Sequence, residues 1–406
     1  MTASNRKAMH ASFLALLLLT SCISGPSRHA RGGDHLFVWT GASAESESDF
    51  LAVVDVNPRS PNYAQIIATA PVPGGKGFAH HTEHQMPTGG ILFANAFGSG
   101  KTYIFDLRAP TRPSLTGSFE NAGEYMHPHS FARLPNGNVL ATYQMRGHDN
   151  VRAGALAEIS SNGRVLRTTD AADPSVEPFI RPYSLVVVPE LDRVVTTSSD
   201  MHAKEISRAV QVWRLTDLKL IKTVRLPAGP TGRENEDPAE PRLLADGRTV
   251  MLSTFTCGLF VLRGLEGSDP TAEWVHSFSQ SDKCALPVVA GRYWVQTDAS
   301  YPALISLDIS DPRRPREVSR LSLGPRQFLH WIALAPDGER IVISGGSGEL
   351  ESHLLLARID PANGRLTIDE NFRPAGATVP GVSFDRRLWP HGEAGKAIPH
   401  GAVFSR

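Results

Sequence analysis

The stretch LPNGNVLAT, residues 134–142, decides the fold, because it places an Asn-Gly turn between apolar segments. A short Gly-containing turn flanked by apolar strands predicts a β-hairpin. Similar stretches follow at LADGRTVML (244–252), VAGRYWVQT (289–297) and APDGERIVIS (335–344). The hairpin is therefore a repeated unit of this chain.

A turn of this kind recurs about every 50 residues, a length typical of a repeat with four short strands. The series runs through Gly33, Gly89, Gly137, Asp192, Gly247, Gly291 and Gly338. Such repeats are typical of β-propeller blades, which bury their faces against their neighbours. We therefore predict an all-β, seven-bladed β-propeller, closed by the C-terminal segment GAVFS (401–405) as innermost strand of the first blade. Two β-sandwiches are the alternative, but no Pro/Ser-rich linker divides the chain after residue 33.

The composition narrows the class of partner. Among 406 residues, 41 are Lys or Arg and 41 are Asp or Glu, so the formal net charge is zero. A chain without a net positive charge has no global field that attracts nucleic acid or an anionic membrane surface. With 41% hydrophobic residues it can bury a large core. We expect a globular protein that does not bind nucleic acid.

The N-terminal segment resembles an export signal. Arg6 and Lys7 precede the apolar run ASFLALLLL (11–19), which is too short to span a bilayer comfortably. The following Leu-Thr-Ser-Cys sequence resembles a bacterial lipobox with Cys22 as the lipidated residue, and an ordinary signal-peptidase site is the alternative. We predict a signal peptide over residues 1–21, a tether over 22–33 and one propeller domain over 34–406. The protein would be periplasmic or anchored to the outer membrane, and would touch a membrane only through a lipid.

Export affects the expected state of the two remaining cysteines, Cys257 and Cys284. Disulfides form and persist in oxidising compartments. In a propeller the two positions fall on the same face of adjacent blades, so we expect a disulfide between them. Copper ligation and two buried free thiols remain as alternatives.

The stretch AHHTEHQMPTGG, residues 79–90, contains three histidines before a turn. Counting back eight residues from the turn glycine gives His81, His129 and His330 in three blades, and His400 begins the closing strand. We expect these four on neighbouring blades at one end of the central channel. Converging neutral imidazoles with an open coordination position suit a catalytic copper, zinc, iron or nickel ion, whereas hydrogen-bonded channel histidines are the alternative. Further candidate ligands, or hydrogen-bond partners of ligands, are His80, Glu83, His84 and His127.

The sequence resembles a known family over most of its length. The segment LAVVDVNPRSPNYAQIIATAPVP (51–73), the double histidine after it, and HSFARLPNGNVLAT (129–142) are similar to the selenium-binding protein and methanethiol oxidase family. The resemblance runs over residues 49–403 and is that of a divergent bacterial member. It implies a copper enzyme that oxidises a small thiol with oxygen, giving an aldehyde, hydrogen sulfide and hydrogen peroxide. The copper ligands it implies are His80, His81, His129 and His400.

The chain also departs from the family pattern. The stretch TEHQMPTGG (82–90) contains no cysteine, so selenium binding is not expected, and His330 suggests an altered metal shell. For thiol oxidation, a base must take a proton from the carbon next to sulfur, and Glu83 and His84 are candidates by proximity. The function predicted is that of an exported copper-dependent oxidase of a small thiol. The alternative is a propeller lipoprotein that binds metal or a partner without turnover.

Overall fold

Seven antiparallel sheets form the blades of a β-propeller in the computed structural model. The structure describes Met1 and residues 32–44, 47–148, 151–202, 205–278, 283–324, 327–348, 351–386, 388–393 and 395–406. Within these residues the regular structure is β, apart from a single turn of 3-10 helix at Pro189–Leu191. The predicted all-β, seven-bladed propeller closed by the C-terminal strand is confirmed. The predicted signal peptide, Cys22 and the tether up to residue 31 lie outside the described residues.

Blades 1 to 3 contain most of the candidate histidines, and their strands are given from the channel outward. Blade 1 consists of Gly395–Phe404, His35–Ala42, Phe50–Asp55 and Ile66–Pro71, with the short strand Asp385–Arg386 paired to Gly395–Phe404. Blade 2 consists of Ala79–Thr82, Ile91–Ala96, Lys101–Asp106 and Ser114–Phe119. Blade 3 consists of Tyr125–Arg133, Val139–Arg146, Ala155–Ile159 and Val165–Asp170.

Blades 4 to 7 complete the ring in the same strand order. Blade 4 consists of Pro182–Val188, Arg193–Ser198, Ala209–Arg214 and Leu220–Arg225. Blade 5 consists of Pro238–Leu243, Val250–Thr254, Gly258–Arg263 and Thr271–Ser277. Blade 6 consists of Cys284–Ala290, Tyr293–Asp298, Ala303–Asp308 and Arg316–Ser322. Blade 7 consists of Gln327–Leu334, Arg340–Gly348, His353–Ile359 and Leu366–Ile368, with Val382–Ser383 paired to His353–Ile359.

The first and the last strand of the ring meet in blade 1. The C-terminal strand Gly395–Phe404 pairs antiparallel with His35–Ala42, from Leu36 opposite Phe404 to Ala42 opposite Ala397. The indole N–H of Trp331 in blade 7 donates to the carbonyl oxygen of Ala402 at 2.9 Å. The closing strand is thereby bonded on one side to blade 1 and contacts blade 7 on the other.

Strand burial follows from position in the ring. Phe50–Asp55, with the sequence FLAVVD, is buried at every residue, because both faces of the sheet pack against neighbouring blades. The outermost strand Ser114–Phe119 alternates between exposed and half-buried residues, as expected for a strand with one solvent face. Fully buried Trp39, Trp213 and Trp294 fill the space between blades.

A β-bulge interrupts the pairing of the innermost strand in all seven blades. In each one, the register between the innermost and the second strand shifts at the corresponding place in the blade, and blade 7 has a second shift beside it. A bulge places two residues opposite one and re-aims their side chains. The first bulge residues of blades 1 to 7 are His400, His80, His129, Tyr183, Ala239, Ala285 and His330.

A disulfide links blades 5 and 6. Cys257 lies in the turn before Gly258–Arg263, and Cys284 is the first residue of the innermost strand of blade 6, with their Cα atoms 5.1 Å apart. The strand Val250–Thr254 ends before Cys257, so the bridge joins a turn to a strand. None of the helices in the described residues has the length and apolarity needed to cross a membrane.

Replacing Cys257 and Cys284 together by Ala should lower the free energy of unfolding by roughly 3 to 4 kcal/mol. The bridge joins residues 27 positions apart, and removing it restores chain entropy to the unfolded state. Urea unfolding of the oxidised, reduced and doubly substituted proteins measures the effect. Reduction should destabilise the wild type and leave the double variant unchanged. Free alkylation of both thiols in native exported protein, found by non-reducing peptide mapping, contradicts the bridge.

Candidate metal centre

Five histidines from four consecutive blades form one cluster in the channel. His400, His80, His129 and His330 occupy the bulge in blades 1, 2, 3 and 7, and His81 follows His80. Their rings are in contact: the centroid of His80 lies 4.0 Å from that of His81 and 4.4 Å from that of His400. The structure thus brings together five of the candidate ligands, whereas the candidates His84 and His127 lie outside the two ligand groups.

The bulge corrects the alignment of the blades by one residue. His80 is equivalent to His129 and His330, whereas the eight-residue count selected His81. The turn in blade 2 is longer, since its left-handed residue is Gly90, with a φ of 68°, and not Gly89. The count also selected Ser184 and Lys283 where the structure has Tyr183 and Ala285.

The ring nitrogens of His80 approach histidines on both neighbouring blades. Nδ1 of His80 lies 3.1 Å from Nε2 of His400, and Nε2 of His80 lies 3.1 Å from Nε2 of His129. Two nitrogens that bind one ion at about 2.0 Å are about 3 Å apart, so either contact has the spacing of a ligand pair. His80 would bind an ion through only one of its two ring nitrogens, because a neutral imidazole has a single lone pair. Two overlapping groups have ligand atoms within 4.8 Å of one another: His80, His330 and His400, and His80, His81 and His129.

His129 is oriented through its second ring nitrogen. Nδ1 of His129 lies 2.7 Å from the carbonyl oxygen of Tyr183 and 3.1 Å from the hydroxyl of Ser130. A carbonyl only accepts, so Nδ1 carries the proton and Nε2 presents a lone pair toward the cluster. This is the arrangement by which proteins fix the tautomer of a metal-binding histidine.

Burial keeps the cluster neutral. Burial, reinforced by the neighbouring imidazoles, lowers the pKa of His80, His81 and His400 well below the usual 6.5. Burial likewise lowers the pKa of His129 and of His330 to about 4. Neutral imidazole is the form that binds a metal, so no proton has to be displaced at neutral pH.

Polar side chains on the second strands hold the bulges in place. Asn95 accepts the backbone N–H of His81 at 2.6 Å and donates to the carbonyl oxygens of Pro128 and His129 at 2.7 and 3.0 Å. It therefore ties the histidine-bearing strands of blades 2 and 3 together. Equivalent bonds to the next blade are made by Thr142 to Tyr183, Thr197 to Ala239 and Ser344 to His400.

The donor atoms fit a metal ion. Nε2 of His81 and Nδ1 of His400 are buried and have no hydrogen-bond partner among the described residues. A buried polar atom without a partner is destabilising, and such atoms in a native protein indicate a missing ligand or ion. Imidazole nitrogens suit copper, zinc, iron and nickel.

Glu83 lies away from this cluster, contrary to its expected role as a base. Its carboxylate, 3% exposed, accepts hydrogen bonds from Nε and Nη2 of Arg133 at 3.0 and 2.7 Å, and from the backbone N–H of Phe93 at 3.1 Å. These contacts join blades 2 and 3. Both oxygens are engaged in the interblade contact, so Glu83 is a structural carboxylate.

His84 faces the channel and meets a carboxylate that the sequence analysis did not identify. Nε2 of His84 lies 3.4 Å from Oε2 of Glu240 in blade 5, and its ring stacks on Trp331 in blade 7. The same oxygen of Glu240 accepts bonds from Arg242 at 2.7 Å and Ser184 at 2.8 Å. Burial alone would raise the pKa of Glu240, but Arg242 and His84 outweigh it and hold the pKa at about 2. Glu240 directly follows Ala239, the bulge residue, and this position is the signal that could have revealed it.

Aromatic rings surround the cluster, whereas His127 and His391 lie outside the ligand groups. The half-exposed Phe78 stacks on His80 at 5.3 Å, and Phe97 contacts His129 at 5.6 Å. His127 bonds the carbonyl oxygen of Phe97 through Nδ1 at 2.9 Å and stands outside the ligand groups. His391 bonds the hydroxyl of Thr69 at 2.8 Å on blade 1, so it is a structural histidine outside the cluster.

Known proteins resemble this chain in sequence and in fold. No family model matches the sequence. The chain is 26% identical to a methanethiol oxidase from Hyphomicrobium sp over 340 residues, which cover 76% of this chain and 74% of that protein. This alignment extends over most of both chains.

Solved structures share the propeller fold. A hypothetical selenium-binding protein from Sulfolobus tokodaii matches with a TM-score of 0.73 and 15% identity, covering 93% of this chain and 94% of its own. A periplasmic gluconolactonase from Pseudomonas aeruginosa matches with a TM-score of 0.64 and 14% identity, covering 92% and 99%. At these identities the two structures show the fold alone. The sequence likeness to a methanethiol oxidase is that of a divergent relative of the selenium-binding protein and methanethiol oxidase family.

Proposed function

We propose that this protein is a copper-dependent oxidase of a small thiol. The observation that carries the proposal is the cluster of five neutral histidines in the channel, with unpartnered ring nitrogens on His81 and His400. The similarity to a methanethiol oxidase supplies the substrate class. In the proposed reaction a thiol, dioxygen and water give an aldehyde, hydrogen sulfide and hydrogen peroxide.

The residues that would hold the metal are His80, His81 and His129, with His330 and His400 beside them. When bound, copper supplies a soft site for a thiolate and a redox couple that zinc lacks. His80, His81 and His129 are the best supported ligands, because all three are buried and the carbonyl of Tyr183 fixes Nδ1 of His129. His330 and His400 extend the donor set on the other side of His80.

The proposed substrate position is opposite the histidines, and the sizes of the side chains around the ring support it. Blades 5 and 6 carry Ala239 and Ala285 at the level where the other blades carry histidine or tyrosine. In the proposed site, the small side chains of these two blades would leave space for the substrate opposite the metal ligands. A thiol of a few carbon atoms fits this arrangement better than a large one.

The base in this proposal is His84, positioned by Glu240. With Nε2–H directed at the Glu240 carboxylate, Nδ1 of His84 is left to accept a proton. The proton comes from the carbon next to sulfur, as the oxidation to an aldehyde requires. Stacking on Trp331 fixes the plane of the His84 ring.

Export is part of the proposal. Residues 1–21 would direct secretion, Cys22 would carry a lipid, and residues 22–33 would link it to the propeller. The Cys257–Cys284 bridge supports a periplasmic or outer-membrane location, since disulfides persist in oxidising compartments.

The decisive experiment is to measure metal and turnover on one preparation. Protein from copper-supplemented cells should contain copper in stoichiometric amount by elemental analysis. It should also release hydrogen sulfide and hydrogen peroxide in equal amounts from methanethiol. A preparation free of transition metal defeats the proposal. Stoichiometric copper without turnover of any small thiol supports the alternative, a metal-binding propeller without catalysis.

Replacing His129 by Ala should remove most of the metal while the fold is retained. Loss of a direct ligand is expected to exceed the 10-fold to 100-fold loss of affinity typical of an outer hydrogen-bond partner. The matched control is His391→Ala, which removes a buried imidazole outside the cluster and should leave metal content unchanged. Elemental analysis and circular dichroism measure the two effects. Equal metal loss in both variants contradicts the assigned ligand set.

Acid should destabilise the metal-free protein through its buried histidines, of which His129 and His330 define the pH range. In the folded chain their pKa is about 4, whereas the unfolded chain takes up protons near 6.5. The folded state therefore binds fewer protons, and the free energy of unfolding falls as the pH drops from 6.5 toward 4. The expected loss is roughly 1.4 kcal/mol per pH unit for each histidine.

Urea unfolding between pH 7 and 4 measures this slope. His129→Gln should lower this slope by the contribution of one histidine. His148→Gln, which changes an exposed histidine, should keep the full slope. Identical slopes in the wild type and His129→Gln would show that His129 is not held neutral by the fold.

A further inference from the structure

Tyr183 continues the ring of metal-site side chains into blade 4. It occupies the bulge position that His80 and His129 occupy in blades 2 and 3. Its ring centroid lies 4.0 Å from that of His129 and 6.2 Å from that of His81, and the His81 ring is perpendicular to it. On its other side it contacts Phe255 of blade 5. Tyr183 therefore lies between the histidines and blades 5 and 6, which carry alanine at the bulge.

The hydroxyl of Tyr183 is buried and has no hydrogen-bond partner among the described residues. A buried tyrosine hydroxyl normally finds a partner, because leaving it unpaired is destabilising. Other buried tyrosines of this chain have one: Tyr103 donates to the carbonyl oxygen of Pro73 at 3.0 Å, and Tyr143 to that of Glu120 at 3.3 Å. The missing partner of Tyr183 is thus a feature of the metal centre and points to a ligand.

The hydroxyl can act as a donor at neutral pH. Burial raises the pKa of Tyr183 well above 10, and the negative charge of Glu240 acts in the same direction. A protonated phenol beside a metal site donates a hydrogen bond to whatever anion occupies the open position. Backbone atoms of the same residue already serve the site, since its carbonyl oxygen orients His129.

We propose that the Tyr183 hydroxyl donates a hydrogen bond to the small anion bound at the open position of the metal, which is the substrate thiolate in the proposed reaction. The assignment rests on the proposed function, since it requires a metal on the histidine cluster. Its role is to bind and position the sulfur on the side of the ring that faces Ala239 and Ala285. The residue was not predicted, because a lone tyrosine in PYSLVVVP carries no motif.

The test compares azide binding to copper(II) protein in the wild type, Tyr183→Phe and Tyr103→Phe. Azide is a small anion that occupies an open copper position and gives a charge-transfer absorption band. Tyr183→Phe removes only the oxygen, so the ring contact and the carbonyl bond to His129 are kept. The dissociation constant for azide should rise roughly 10-fold or more, as expected for a hydrogen bond to a charged group. Copper content should stay unchanged, and Tyr103→Phe should match the wild type.

The outcomes separate this inference from the function on which it rests. Unchanged azide affinity in a copper-loaded Tyr183→Phe protein overturns the role of Tyr183 and leaves the metal centre intact. Absence of copper from the wild type overturns the proposed function and this inference with it. The Michaelis constant for methanethiol should rise in Tyr183→Phe by a factor similar to that for azide, and an unchanged constant would show that the anion bound there is not the thiolate.

Discussion

The β-bulge repeated in every blade is the constraint on which the site depends. In a regular strand, successive side chains point to opposite faces, so His80 and His81 could not both reach the channel. The bulge places two residues opposite one, and the two rings stack at 4.0 Å with an interplanar angle of 13°. Since all seven bulges lie at the corresponding place in their blades, side chains that are far apart in sequence meet in one ring. In blades 2, 3, 4 and 7, Asn95 and its counterparts bond the second strand to the bulge of the next blade.

The fold keeps the five histidines out of water and in the neutral form. Five imidazoles pressed together favour neutrality, and burial makes the charged form still less favourable. Ring nitrogens of His81 and His400 remain unpaired, which is destabilising in the metal-free protein. The closed ring of blades supplies the stability that tolerates this cost. A metal ion would satisfy the same atoms, so the structure is already arranged for binding before the ion arrives.

The sequence was sufficient for the fold because turn spacing and apolar strands are local signals that repeat seven times. It was also sufficient to find the histidines, since spacing from a turn gives an approximate strand position. The direction of each side chain could not be predicted in this way, because a bulge reverses the side of the strand to which every following residue points. Glu83, two residues after His81, would share its side in a regular strand, yet it turns toward Arg133. Tyr183 and Glu240 were missed because the eight-residue count falls on their neighbours, Ser184 and Ala239, and neither residue belongs to a motif.

The distribution of the ligands around the ring links the metal to closure of the fold. His80 and His129 come from blades 2 and 3, His330 from blade 7, and His400 from the C-terminal strand that completes blade 1. An ion bound by His80 and His400 would therefore connect the N-terminal blades to the strand that closes the propeller. Since a ligand that binds only the folded state stabilises it, metal binding would act on the joint between the two chain ends. The backbone pairing of Gly395–Phe404 with His35–Ala42 already closes the ring, so a bound ion would strengthen this joint and not create it.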